Sequence, residues 1–167
     1  GKTPIMERGG LLHDQERVFL LSTTHGAETH SLAAAIATMR TYQEQDVIGQ
    51  MHRQGERLAR GVRQAAADLG IGDYFEVAGR ASNLIFVTRD ADKNRSQPFR
   101  TLFMQELIRR GVLGPSFVIS YSHSDADVDF TIEAVAAALR VYCRALEDGV
   151  EQYLVGRPVK PVFRPKN

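Results

Sequence analysis

Apolar residues recur at helical spacing over several long stretches of the chain and in short blocks between them, which predicts helices alternating with strands. Residues 1–17 are polar and Gly-rich, with Gly9-Gly10 and no sustained period, and read as a loop with room for one short helix. Val18-Phe19-Leu20-Leu21 is a short apolar run of strand type, and Ser22-Thr23-Thr24-His25-Gly26 is a polar turn after it. From Thr29, Leu32, Ala35, Ile36 and Met39 fall on one helical face. A second helix is expected after Asp46, a good N-cap, with Ile48, Met51, Leu58, Val62, Ala65 and Leu69 as its stripe. Gly55 interrupts that stripe, and Gly70 suits the helix stop.

The pattern then shortens. Tyr74–Ala78 and Asn83–Thr88 read as strands, with Gly79-Arg80-Ala81-Ser82 between them as the corner of a hairpin. After a charged loop from Asp90, Ser96 can cap a helix with Pro98 in its first turn, running to Arg110 with Gly111 beyond. Phe99, Leu102, Phe103 and Leu107 form its apolar face. Phe117–Tyr121 reads as a third strand. The last helix starts near Ser124, with Asp125 and Asp127 at the positive end of its dipole. Its stripe of Val128, Ile132, Val135, Leu139, Tyr142 and Leu146 is the cleanest in the chain. Pro158, Pro161 and Pro165 then predict an extended tail. The order predicts an α/β chain: a small sheet covered by helices.

Composition narrows the function classes. The chain has 167 residues, 43% hydrophobic and 25% charged, the profile of a folded domain with a real core. The 21 basic and 20 acidic residues leave a net charge of +1, which makes no case for nucleic acid or an anionic membrane surface. The longest apolar run is far too short to cross a bilayer. Cys143, the single cysteine, fits a reducing compartment, so a cytoplasmic protein is expected. The first residue is Gly1 and not methionine, so an upstream piece could exist.

No active site stands out from these residues. The five histidines lack the spacing and the cysteine partners of a zinc site, so no metal is expected. Ser120, Ser122, His123 and Asp125 invite a Ser-His-Asp reading, but a triad is a spatial arrangement, and a strand end followed by a helix cap explains them better. Ser22-Thr23-Thr24 carries the most interest. Hydroxyls and free N–H groups just before a helix can bind phosphate, although hydroxyls there are more often caps.

A resemblance adds to this. Phe19 to Glu28 leading into Leu32-Ala33-Ala34-Ala35-Ile36-Ala37-Thr38-Met39, then Gly111-Val112-Leu113-Gly114-Pro115-Ser116, then Ser120 to Val128, resemble in order the pyridoxal-phosphate (PLP) aminotransferases of class III, and within them the glutamate-1-semialdehyde aminomutase group. Gly1-Lys2 through Gly9-Gly10 resembles the segment directly after the PLP lysine region of that family.

The resemblance implies the C-terminal portion of a fold type I PLP enzyme, with residues 1–45 ending the large PLP-binding domain and starting a connecting helix. Residues 46–156 would be the small α+β domain and 157–167 an extended tail. The implied cofactor is PLP, with Thr23 donating its hydroxyl, and Ser22 its backbone N–H, to the cofactor phosphate across a homodimer interface. The Schiff-base lysine lies upstream in the family, so no catalytic residue is assigned to this chain, and the remaining N-terminal part of the enzyme becomes an expected partner. The aminomutases carry more residues between their Pro-Ser and His-Ser, including a substrate-side glutamate. Here only Phe117-Val118-Ile119 separate Ser116 from Ser120. That favours transfer of an amino group from a small-molecule donor to another carbonyl acceptor, a sugar or keto acid. The alternatives are the aminomutase itself and a stand-alone binding or structural domain without catalysis.

Overall fold

The computed structural model describes residues 2–7 and 28–160. The chain divides into two compact units, Gly1–Gln45 and Asp46–Asn167. Among the described residues no helix is long and apolar enough to cross a membrane. The expected strand Val18–Leu21, the turn Ser22–Gly26, and His13 and His25 lie outside the described residues.

In the first unit, α1 spans Thr3–Met6 and α2 spans Thr29–Glu44. No residue of α2 is buried. The face expected from Leu32, Ile36 and Met39 is about half exposed, at 52%, 47% and 57%. The hydroxyls of Thr38 and Thr41 donate to the carbonyls four residues back, Ala34 and Ala37.

The second unit is a small α+β domain. Its elements are α3 (Val47–Asp68), β1 (Phe75–Arg80), β2 (Asn83–Thr88), α4 (Gln97–Arg109), β3 (Phe117–Val118) and α5 (Asp125–Asp148), with a short 3-10 turn at Val150–Gln152. The three strands form one antiparallel sheet in the order β1-β2-β3. Asp46 caps α3 by accepting from the Gly49 N–H, and Ser96 caps α4 by accepting from the Phe99 N–H. Ser124 and Asp127 cap α5 reciprocally.

Helices cover one face of this sheet. Phe75, Val77, Leu84 and Phe86 point inward and are buried, while Glu76, Ile85 and Val118 on the other face are exposed. The centre is aromatic. Phe103 meets Phe75 at 4.6 Å and Phe86 at 4.9 Å between ring centroids, and Phe117 and Tyr142 extend the cluster. Each such ring contributes about 1.5–3 kcal/mol through removal from water, and tilted or edge contacts add to that. Tyr142 is fully buried, and its hydroxyl accepts from the Arg89 N–H at 2.9 Å and faces the carbonyl oxygens of Arg89 at 2.5 Å and Tyr74 at 3.1 Å. Burial pushes that phenol well above its ordinary pKa.

Three sequence expectations need correction. The hairpin is tighter than the four-residue corner: Gly79 and Arg80 stay in β1 opposite Leu84 and Asn83, leaving only Ala81-Ser82 as the loop. Gly79 belongs to the ladder because its φ of +106° and its approach to the Asn83 carbonyl, 2.7 Å from where a Cβ would stand, exclude a side chain. The third strand is Phe117–Val118 and not Phe117–Tyr121; beyond Val118 only the Ile119 N–H continues, bonding the Ser82 carbonyl at 3.2 Å. On α3, only Ile48 leaves the expected stripe, at 63% exposed; Leu58 and Val62 are buried, Met51, Ala65 and Leu69 pack against the core, and Val47, Gln54, Gly55, Ala59 and Ala66 join the buried face. The interruption at Gly55 is the point where α3 presses on the hairpin: a Cβ there would stand 1.8 Å from the Ala81 carbonyl oxygen.

Glu106 is the buried carboxylate of the domain. It bonds Arg109 and Arg110, each at 2.7 Å. Burial alone would raise its pKa, but the hydrogen bonds from Arg110 and Gln105 and the charges of both arginines outweigh it and hold the carboxyl below its usual value.

This packing sets two expected outcomes. Gly55→Ala gains about 1 kcal/mol of helix propensity but must displace the hairpin, so a net loss of about 1–3 kcal/mol is expected from urea unfolding. Gly72→Ala, with nothing within 4 Å of the new Cβ, should change stability little. For Glu106, the depressed pKa means that its contribution is fully present above the unfolded-chain value of 4.5 and is lost as pH falls through the folded value. The stability difference between wild type and Glu106→Gln should therefore be flat above 4.5 and shrink below it. A difference independent of pH would mean that Glu106 acts through packing alone.

Candidate functional site

The passage from α4 through β3 into α5 encloses a cleft of about 150 Å³. Val112, Phe117, Ile119 and Val128 supply apolar wall, and Ser116, His123, Asp127 and Thr131 supply polar groups. Local sequence explains the placement. Gly111, at φ +81°, ends α4. The two residues of β3 dock on β2, and the Ser120–His123 turn feeds the cap of α5.

His123 is oriented by backbone. Its Nδ1 accepts from the Ser120 N–H at 3.2 Å, so the neutral ring carries its proton on Nε2. Asp127 accepts from the Ser124 hydroxyl at 2.7 Å and the Ser124 N–H at 2.8 Å. These bonds, Ser124 hydroxyl first, together with the nearby His123 charge hold Asp127 below the ordinary aspartate pKa. Asp125 turns away to α3, where it accepts from Gln54 at 2.6 Å and pairs with Arg57 at 2.8 Å. Ser, His and Asp therefore do not line up as a relay: Nδ1 of His123 meets a backbone N–H and Asp125 faces another helix. The cleft can orient and hydrogen-bond a small polar group, but no lysine lines it. Lys93 pairs with Asp73 at 2.6 Å, and that bond raises its pKa, the opposite of what an amine nucleophile needs.

The sequence-assigned phosphate contacts, Ser22 and Thr23, lie outside the described residues, as does Thr24. Among the described residues no three His, Cys, Asp or Glu side chains come together to hold a metal ion. Among the described residues no lysine lines this cleft, so no covalent step falls on them. Sequence reasoning missed Gln54 and Arg57, the α3 groups that position the start of α5. Their spacing from Asp125, 71 residues for Gln54, leaves no local signal.

The tautomer is directly testable. Long-range 15N NMR of neutral His123 should show the proton on Nε2. Ser124→Ala removes the hydroxyl of the capping box and should lower stability by about 1 kcal/mol without changing that tautomer. An Nδ1 proton in the neutral ring would contradict the Ser120 contact.

No protein-family model matches the chain. Among curated proteins it is similar to glutamate-1-semialdehyde 2,1-aminomutases. It is 31% identical to that of Desulforudis audaxviator (strain MP104C) and 26% identical to that of Desulfitobacterium hafniense (strain DSM 10664 / DCB-2), in each case over 155 residues. Both alignments cover 84% of this chain and 36% of the relative, so the chain spans about a third of the length of the relatives it matches. Among solved structures it resembles the FumI protein of Sphingopyxis sp. MTA144, determined in its PLP internal aldimine form, with a TM-score of 0.63 and 22% identity. That likeness covers 79% of this chain and 31% of the FumI chain, and it shows the fold.

Proposed function

We propose that this chain, similar to glutamate-1-semialdehyde aminomutases of the class III PLP-dependent group, forms the small domain and cofactor-anchoring turn in the C-terminal portion of a PLP enzyme that transfers an amino group to a carbonyl compound. The observation that carries this reading is the 31% identity over 155 residues to an aminomutase, 36% of whose length is matched. PLP, when bound, supplies the electron sink for the reacting carbon. The amine that joins it would come from the remaining N-terminal part of the enzyme. The residues of this chain would do two things. Ser22 and Thr23 would anchor the phosphate of a neighbouring subunit, and the cleft beside β3 would form part of the substrate wall, with the His123 Nε2–H as a neutral donor.

The aminomutase reaction is the second reading, favoured by the names of the relatives. What supports transfer to a separate acceptor is the short run from Pro115 to Ser120. The carboxylate lining that cleft, Asp127, is committed to the α5 cap. A homodimer with shared sites belongs to either reading.

The test is Thr23→Val in the complete enzyme. Loss of one hydrogen bond to a charged phosphate, worth about 1.5–3 kcal/mol, should weaken PLP binding by about 10- to 150-fold with little change in folding. A loss of about 1 kcal/mol in stability with unchanged PLP affinity would make Thr23 a helix cap instead. Thr24→Val serves as the control; equal losses in both would mean that the contact was placed on the wrong threonine.

A further inference from the structure

A second groove, of about 310 Å³, runs along β2 on the side away from β1. Its floor is the strand edge from Ile85 to Thr88. Arg95, Ser96, Gln97 and Arg100 wall one side, and Pro115 and Ser116 the other.

The floor carries open backbone groups. The Arg89 N–H bonds the Tyr74 carbonyl at 2.8 Å, continuing the β1–β2 ladder. In an antiparallel pair the bonded positions alternate, so Leu84, Phe86 and Thr88 turn their N–H and C=O groups to the opposite side. There β3 pairs only with Asn83 and Leu84. The next bonded position in that register sets Pro115 opposite Phe86; proline has no N–H to donate, which leaves the Phe86 carbonyl without a strand donor, and the Pro115 carbonyl accepts from Arg100. The Thr88 carbonyl accepts from the Ser96 N–H at 3.0 Å. The N–H groups of Phe86 and Thr88 face the groove without an acceptor among the described residues.

The walls carry unmatched charge. Arg53, Arg57, Arg89, Arg109 and Arg110 each have a carboxylate within 2.9 Å. Arg95 and Arg100 have none among the described residues. Arg100 is fixed in place: its guanidinium lies over the Phe86 ring at 4.5 Å and gives one bond, at 2.6 Å, to the Pro115 carbonyl. Arg95 is exposed, across a β-bridge from Arg89, whose own charge Glu76 answers. The Ser96 hydroxyl accepts from the Phe99 N–H, which leaves its proton to donate. The groove thus gathers guanidinium, amide and hydroxyl donors beside the one open Phe86 carbonyl, with no carboxylate to answer them.

We propose that this groove binds a compact oxyanion, the phosphate or carboxylate group of a small-molecule ligand, between Arg95, Arg100 and the free N–H groups of the β2 edge. A planar guanidinium matches either anion with paired bonds. The site does not rest on the PLP reading, and its test uses no PLP.

The experiment is a calorimetric titration of inorganic phosphate into the full chain, with malonate as competitor. Saturable binding is expected, weakened at least tenfold by Arg95→Gln and unaffected by Arg60→Gln, an exposed arginine in a different cleft. Arg100→Gln should weaken it too, but that variant also releases the Pro115 carbonyl, so Arg95 decides the matter. Displacement by malonate identifies a carboxylate ligand, and failure to displace identifies a phosphate. Absence of saturable binding, an unchanged affinity in Arg95→Gln, or an equal loss in Arg60→Gln would overturn the proposal.

Discussion

The hydroxyl of Tyr142 is where the helical layer and the sheet are tied together. A buried phenol must find hydrogen-bond partners, because an unsatisfied one costs about 1–3 kcal/mol. Tyr142 finds them on both strands of the hairpin at once, at Tyr74 where β1 begins and at Arg89 just after β2 ends. The open end of the hairpin is thereby closed against α5. At the other end α3 presses on the Ala81-Ser82 loop through Gly55. With both ends held, the inward faces of Phe75 and Phe86 are set against Phe103, Phe99 packs on Tyr142, and the aromatic core forms between them.

The two clefts depend on that arrangement. β3 is only two residues long, and it ends where Pro115 meets the β2 edge. A longer third strand would cover Phe86 and Thr88 and fill the groove beside Arg95. The same brevity brings the Ser120–His123 turn close under α5 and opens the smaller cleft around His123. Chemistry therefore concentrates where regular structure stops, on loops held by a rigid layer. The described rim offers hydrogen-bond donors from Ser116, His123 and Thr131.

Much of this is legible in the residues. The caps at Asp46, Ser96 and Ser124, the helical stripes of α4 and α5, and the hairpin pair all come from local rules, because capping and periodicity act within a few residues. The aminotransferase likeness also rests on short ordered runs. The misreadings share a cause. Along the chain Gly79 looks like a turn and Gly55 like a flaw in a stripe, yet each is a place where another backbone comes within 3 Å of the missing Cβ. A sequence displays the absent side chain but not the neighbour that requires its absence.

The sequence by itself determined the element types, the caps, and the apolar sets of α4 and α5, since each depends on composition and spacing along the chain. Only the tertiary structure decided that Ile48 of α3 faces outward, where the third strand stops, that Asp125 answers Gln54 and Arg57 instead of His123, and that Arg95 and Arg100 share one groove. Those outcomes depend on groups many residues apart meeting in space, and no local propensity encodes a meeting of that kind.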